Sequence, residues 1–334
     1  MHSNDDPKRA GDFARNPQLE KLLASLNSAL VSAENQLLVE HPPAGSGPPP
    51  VFLFGPLRSG TTLFIQWLAS TGAFSYPTNL LSRFYNAPLV GALIQQMLTD
   101  QRYRFRDELK LLDVEINFDS QNGKTSGAMS PNEFWYFWRR FLPSDDILEL
   151  SSAELLRSPG ISTLAAEVRS LAAIFSRPFV MKAMILNFHI PFLRELFPEA
   201  IFVQLRRDPV ANTASALAAR VRQFGTESTW YSFRVPQYEK LQALSPTEQC
   251  AGQVLFTNRA IEQGMSAIPE TGRIVVDYEN FCADPAAVYK VIMERLPERW
   301  RRDYSIDVHF SPTREVSPSR AKEITAALRS VAAL

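Results

Sequence analysis

The chain has 334 residues, 45% hydrophobic and 21% charged, which is enough for one large α/β domain with additions or two modest domains. Its 35 basic residues balance 35 acidic ones, so no global charge directs it to nucleic acid or to an anionic membrane surface. Four scattered histidines and two cysteines, Cys250 and Cys282, lack metal-ligand spacing, which argues against a bound metal and points to a reducing, cytoplasmic setting.

The first 16 residues are polar and charged and carry no secretory pattern, and no apolar run approaches the roughly 18 residues of a membrane span. Asn16-Pro17 reads as a cap followed by proline at the first helical position. Leu19, Leu22, Leu23, Leu26, Leu30 and Val31 then recur at helical spacing, so residues 17–40 are expected to form an amphipathic helix packed on the core or on a partner. The proline- and glycine-rich stretch 41–50 reads as a linker, which makes 1–50 an N-terminal appendage and 51–334 the main domain.

Residues 51–54 (VFLF) are wholly apolar and end in glycine, the pattern of a parallel strand covered on both faces. A helix is expected over 62–68. A large, mainly helical and aromatic insertion follows over about 76–175, with turns at 121–127 and 143–146. Further strands are expected at 179–181, 201–205 and 273–276, with helices at 210–222 and 285–296. This alternation predicts an α/β fold: a doubly wound parallel sheet of about four to five strands, with P-loop-like topology.

Strand, glycine-containing loop and helix together aim backbone N–H groups at an anion. Residues 55–62 (GPLRSGTT) follow the spacing G-x-x-x-x-G-K-[ST], except that Thr61 stands where nucleoside triphosphatases carry lysine. The positive charge sits instead on Arg58, inside the loop, which suits a shorter anion beside a single 5'-phosphate better than a triphosphate with its metal. An ordinary strand-to-helix turn is the plain alternative.

Arg58-Ser59-Gly60-Thr61-Thr62-Leu63 resembles the 5'-phosphosulfate loop of the sulfotransferases, P-[KR]-S-G-T-[TS], with Leu57 in place of a proline. The resemblance implies a donor, 3'-phosphoadenosine 5'-phosphosulfate (PAPS, leaving PAP), held by residues 58–63 with no metal. It also implies a second anion site, an arginine after a later strand and a serine eight positions on, for the 3'-phosphate. Arg207 and Ser215 match that pattern, with Asp208-Pro209 opening the helix between them. Residues 276–285 resemble a later scaffold segment of the family, and the likeness spans roughly 51–296.

The implied catalytic group is Arg58 at the leaving oxygens, with Lys182 beside the sulfuryl group; a strand-end lysine lying along the surface is the plain alternative. The proton acceptor is less defined. The histidine and the glutamate that two branches of the family use are absent: Met184 holds one position and the segment Tyr76-Pro77-Thr78-Asn79 the other. Glu133, in an aromatic stretch, and His189 rank equally, with Glu115 third. That stretch, with Phe84, Tyr85, Trp230 and Tyr231, is a candidate lining for a small-molecule, lipid or carbohydrate acceptor, and Ser317 to Arg320 for a place near the donor. The competing readings are another P-loop transferase or kinase, and a PAPS- or PAP-binding protein without activity.

Overall fold

The computed structural model describes residues 16–40, 47–103, 106, 118, 120–121, 124–142, 148, 150–312 and 315–334. Helix α1 (Pro17–Glu40) precedes strand β1 (Pro50–Phe54), helix α2 (Thr61–Ser70) and helix α3 (Pro88–Thr99). A small antiparallel pair, β2 (Ser120–Gln121) and β3 (Lys124–Thr125), lies within the mainly helical insertion, which continues with α4 (Trp135–Trp138), α5 (Ser152–Leu156) and α6 (Ile161–Phe175). Strand β4 (Phe179–Lys182), α7 (Ile190–Leu196), β5 (Ile201–Arg206), α8 (Pro209–Phe224), α9 (Tyr238–Gln242) and α10 (Pro246–Ser266) follow. Strand β6 (Arg273–Asp277), α11 (Tyr278–Ala283), α12 (Pro285–Arg295) and α13 (Pro318–Val331) complete the chain.

Four of these strands pair in parallel in the order β4-β1-β5-β6. The chain leaves β1 for one side of the sheet and later returns on the other, the doubly wound arrangement expected from the alternation. The register sets Leu53 level with both Lys182 and Val203, so the carboxyl ends of β4, β1 and β5 open at one edge.

The strands read as unbroken apolar runs because each face is covered. Phe52, Phe54, Phe179, Met181 and Phe202 enter one core with residues of α6, α7 and α10. Val51, Leu53, Val180, Ile201 and Val203 point the other way, into a core with α2, α11 and α12. The period-2 alternation of a strand is therefore present in the direction of the side chains, not in their polarity.

Two long helices, α10 and α13, were not expected. Helix α10 buries Gln249, Gln253 and Thr257 alongside its apolar residues, which obscures its hydrophobic stripe. The two glutamines satisfy loop carbonyls: Gln253 Nε2 donates to Tyr231 (3.0 Å) and Phe233 (2.6 Å) after α8, and Gln249 Nε2 donates to Leu244 (3.0 Å) after α9.

Candidate active site

The first loop starts where β1 ends. The Gly55 amide and carbonyl exchange hydrogen bonds with the Asn187 side chain, at 3.3 Å to Oδ1 and 2.9 Å from Nδ2. The loop then turns through two left-handed residues, Arg58 at φ 62° and Gly60 at φ 97°. A Cβ on Gly60 would come within 2.3 Å of the Tyr278 ring, so this glycine is required both by its dihedral and by close approach. Gly60 also caps α2 without a side chain, leaving the first-turn amides of that helix to the contents of the loop. Ser59 Oγ is buried with no hydrogen-bond partner; it lies beside Gly55, and Ser59 is not among the residues that line the cleft.

The second loop follows β5. Arg206 points outward and pairs with Asp277 at 2.9 Å, while Arg207 turns in, the division that strand alternation predicts. Arg207 Nη1 donates to the Arg58 carbonyl at 2.6 Å, and its guanidinium lies 4.9 Å from the Tyr278 ring centroid. Asp208 accepts from the Ala211 amide at 2.7 Å, capping α8, with Pro209 in the first turn. Ser215, two turns along that helix, accepts from Arg58 Nε at 3.3 Å, and Asn212 Nδ2 donates to the Leu57 carbonyl at 2.6 Å. The two loops thus form one continuous surface. Tyr278 sits under both, and Glu279 Oε1 accepts from the Asp208 amide at 3.2 Å.

Lys182 closes the site from β4. Its side chain is 3% exposed, and Nζ donates to Thr62 Oγ1 at 2.7 Å and to Glu133 Oε1 at 3.2 Å. Trp138 Nε1 fixes the backbone there by donating to the Lys182 carbonyl at 3.0 Å. Burial pulls the lysine's pKa down, Glu133 opposes that shift, and Arg58 reinforces it. Arg58 is itself shifted down, by burial first and by Arg222 next.

Arg58, Gly60, Thr61, Thr62, Leu63, Glu133, Lys182, Arg207 and Ser215 all line a single cleft of ≈ 3440 Å³. His189 does not. It is buried at the start of α7, because the 3-10 turn at Met184–Leu186 carries the chain inward after Lys182. Of the two residues ranked equally, Glu133 lines the cleft and His189 does not; Glu115 lies outside the described residues. Trp135, Tyr136, Trp230, Tyr231 and Phe233 line the same cleft, but Phe84 and Tyr85 do not. Phe84 packs over Gly91, and Tyr85 stands behind Tyr136 with ring centroids 5.4 Å apart. Ser317 and Arg320 reach the rim, where Arg320 pairs with Glu227 at 2.9 Å.

Asn187, Asn212 and the platform role of Tyr278 escaped the sequence reading. Each acts on backbone far away in sequence, and nothing local marks it.

Fold and site define a P-loop-like α/β protein with two adjoining strand-to-helix loops at the carboxyl edge of a parallel sheet. The sequence model of one family, described as the sulfotransferase family, matches residues 49–302. This chain belongs to that family and is a sulfuryl-transferring enzyme. Among solved structures, sulfotransferase STF1 from Mycobacterium tuberculosis H37Rv shares the fold with TM-score 0.51 at 14% identity, covering 91% of this chain and 82% of its own. Sulfotransferase STF9 from Mycobacterium avium gives 0.49 at 16% identity, over 99% of this chain and 88% of its own. A sulfotransferase from Alicyclobacillus acidocaldarius gives 0.43 at 17%, over 85% and 93%. No curated sequence matches the chain. No helix among the described residues is long and apolar enough to cross a membrane.

Proposed function

We propose that the sulfuryl donor is PAPS and that the acceptor is a hydroxyl compound entering along the aromatic wall of the cleft. The observation that carries this reading is the contact chain Arg207 Nη1 to Arg58 O (2.6 Å) and Arg58 Nε to Ser215 Oγ (3.3 Å). It joins the 5'-side and 3'-side cradles into one surface, as a single adenosine nucleotide with phosphates at both positions requires. The uncapped amides of α2 fit the same group, since phosphate oxygens accept from backbone N–H groups.

In this reading Ser59, Gly60, Thr61, Thr62 and Leu63 hold the 5'-phosphosulfate end, and Arg207 and Ser215 the 3'-phosphate. The donor supplies an activated sulfuryl group whose S–O bond to phosphate breaks as the acceptor oxygen bonds to sulfur, the electron pair leaving on the phosphate oxygen. Arg58 and Lys182 stabilise charge on the leaving and equatorial oxygens, and Thr62 orients the lysine. Glu133, 46% exposed at the cleft and within reach of Lys182, takes the acceptor proton. The two buried free thiols, Cys250 and Cys282, support a reducing, cytoplasmic setting.

The test is incubation of the protein and PAPS with a cell extract, with mass spectrometry for products about 80 Da heavier. In parallel, PAP at about a hundredfold over its Kd is expected to stabilise the fold by about 2.7 kcal/mol without magnesium. No heavier product and no stabilisation by PAP would overturn the reading.

A further inference from the structure

Helix α1 lies outside residues 49–302, the stretch the family model matches, yet it forms part of the cleft wall. Two buried polar residues pin it to the domain. Asn27 donates to the Arg83 carbonyl at 2.8 Å and accepts from the Asn86 amide at 2.7 Å. Glu34 accepts from the amides of Leu89 (2.9 Å) and Val90 (3.1 Å), standing in for the side-chain cap that Ala87 cannot give α3. With both anchors made, the first turns of α1 are fixed over the cleft, where Tyr136 Oη donates to Glu20 Oε1 at 3.4 Å.

The cleft is far larger than one donor needs. A drug-sized ligand occupies a pocket of roughly 300–1,000 Å³, whereas this one measures ≈ 3440 Å³. The anion cradles lie between α2 and α8. On the α1 side the lining sets Leu19, Leu23 and Leu80 among Asn16, Glu20 and Arg83, with Trp135 and Tyr136 next to Glu133 in sequence. Leu19, Leu23, Leu80 and the rings of Trp135 and Tyr136 are the apolar part of that lining.

We propose that α1 is an acceptor-selecting element: the acceptor carries, beside its reacting hydroxyl, an apolar chain or ring system that extends from Glu133 to Leu19 and Leu23. This rests on the donor and acceptor sides assigned above. It differs from them in making the appended helix, not the family's common domain, the determinant of acceptor class.

The test uses the full-length protein and a series of 4-alkylphenols, from 4-methylphenol to 4-nonylphenol, with binding read from tryptophan fluorescence, with and without PAP. Burial of each methylene contributes about 0.8 kcal/mol, so the Kd of the wild type is expected to fall about fourfold per added carbon. Leu19→Glu is expected to flatten that dependence, Leu19→Met to keep it, and both to bind PAP within about twofold of the wild type. The proposal is overturned if Leu19→Glu retains the wild-type chain-length dependence, if the wild type shows none, or if PAP affinity falls in step with phenol affinity. Failure of PAP to bind the wild type would sink the donor assignment instead, and the phenol series without PAP still decides the role of α1.

Discussion

Replacing Lys182 with methionine separates its role in transfer from any role in folding. The ammonium is almost wholly buried, and its two acceptors, Thr62 Oγ1 and Glu133 Oε1, lie 2.7 and 3.2 Å away. Each hydrogen bond to a charged group contributes about 1.5–3 kcal/mol, but burying the ammonium costs several kcal/mol. Glu133 is 46% exposed, so removing the lysine leaves no buried carboxylate without a partner, and methionine fills much of the vacated volume. The opposing effects are of one size, and unfolding stability is expected to change by no more than about 1 kcal/mol. Transfer is a different matter. A donor aimed at charge developing in the transition state contributes about 2.7–4 kcal/mol, equivalent to a 10²–10³-fold loss of kcat. PAP has no sulfuryl group for Lys182 to meet, so its affinity is expected to stay within about threefold of the wild type. Single-turnover transfer from PAPS, PAP titration calorimetry and urea unfolding would read the three quantities. A variant that retains more than about a tenth of the wild-type rate would refute the assignment, as would loss of PAP binding in proportion to rate.

Three further outcomes follow from the same geometry. Ser215→Ala removes a hydroxyl at the second cradle, and PAP affinity is expected to fall about 10–100-fold while that of AMP, which lacks the 3'-phosphate, is unchanged; equal losses in calorimetry would count against the 3'-site. Gly60→Ala places a methyl 2.3 Å from the Tyr278 ring at φ 97°, so the loop is expected to deform and PAP binding to disappear, and an unaltered isotherm would contradict the close approach. Glu167, wholly buried and bidentate with Arg140 (2.7 and 2.9 Å), has its pKa pushed up from an ordinary 4.5 to about 7 by burial, against the pull of Arg140. Between those values the folded chain holds a proton that the unfolded chain has released, so stability falls as pH rises through the window, by about 1.4 kcal/mol per pH unit from this group, and levels off above it. Urea unfolding from pH 5 to 8 is expected to show that slope in the wild type and its loss in Glu167→Gln; an unchanged slope in the variant would refute the cause.

The parts of the site that were legible share one property: the chemistry lies in consecutive residues. The loop at 55–62 announces itself because glycine, serine and threonine must follow one another to turn the chain and offer donors. Arg207 and Ser215 were legible through Asp208-Pro209, a local helix start that fixes the distance between them. Glu133 could not be separated from His189 on the same basis. The choice depends on whether the chain after β4 turns toward the cleft or the interior, and a 3-10 turn over Met184–Leu186 sends it inward. Helix α10 was hidden for a different reason, since its buried glutamines serve two loops, before and after α9, that the local pattern does not reveal.

The amino-acid sequence by itself determined the parallel sheet, the two strand-to-helix loops after β1 and β5 and their order, because strand burial and helix starts are short-range properties. Only the tertiary structure decided that Arg58 touches Ser215 across 157 positions, that Tyr278 supports both loops, and that α1 walls the cleft through Asn27 and Glu34. These contacts join residues whose separation along the chain leaves no periodic trace, and folding the sheet's carboxyl edge into one surface is what brings them together.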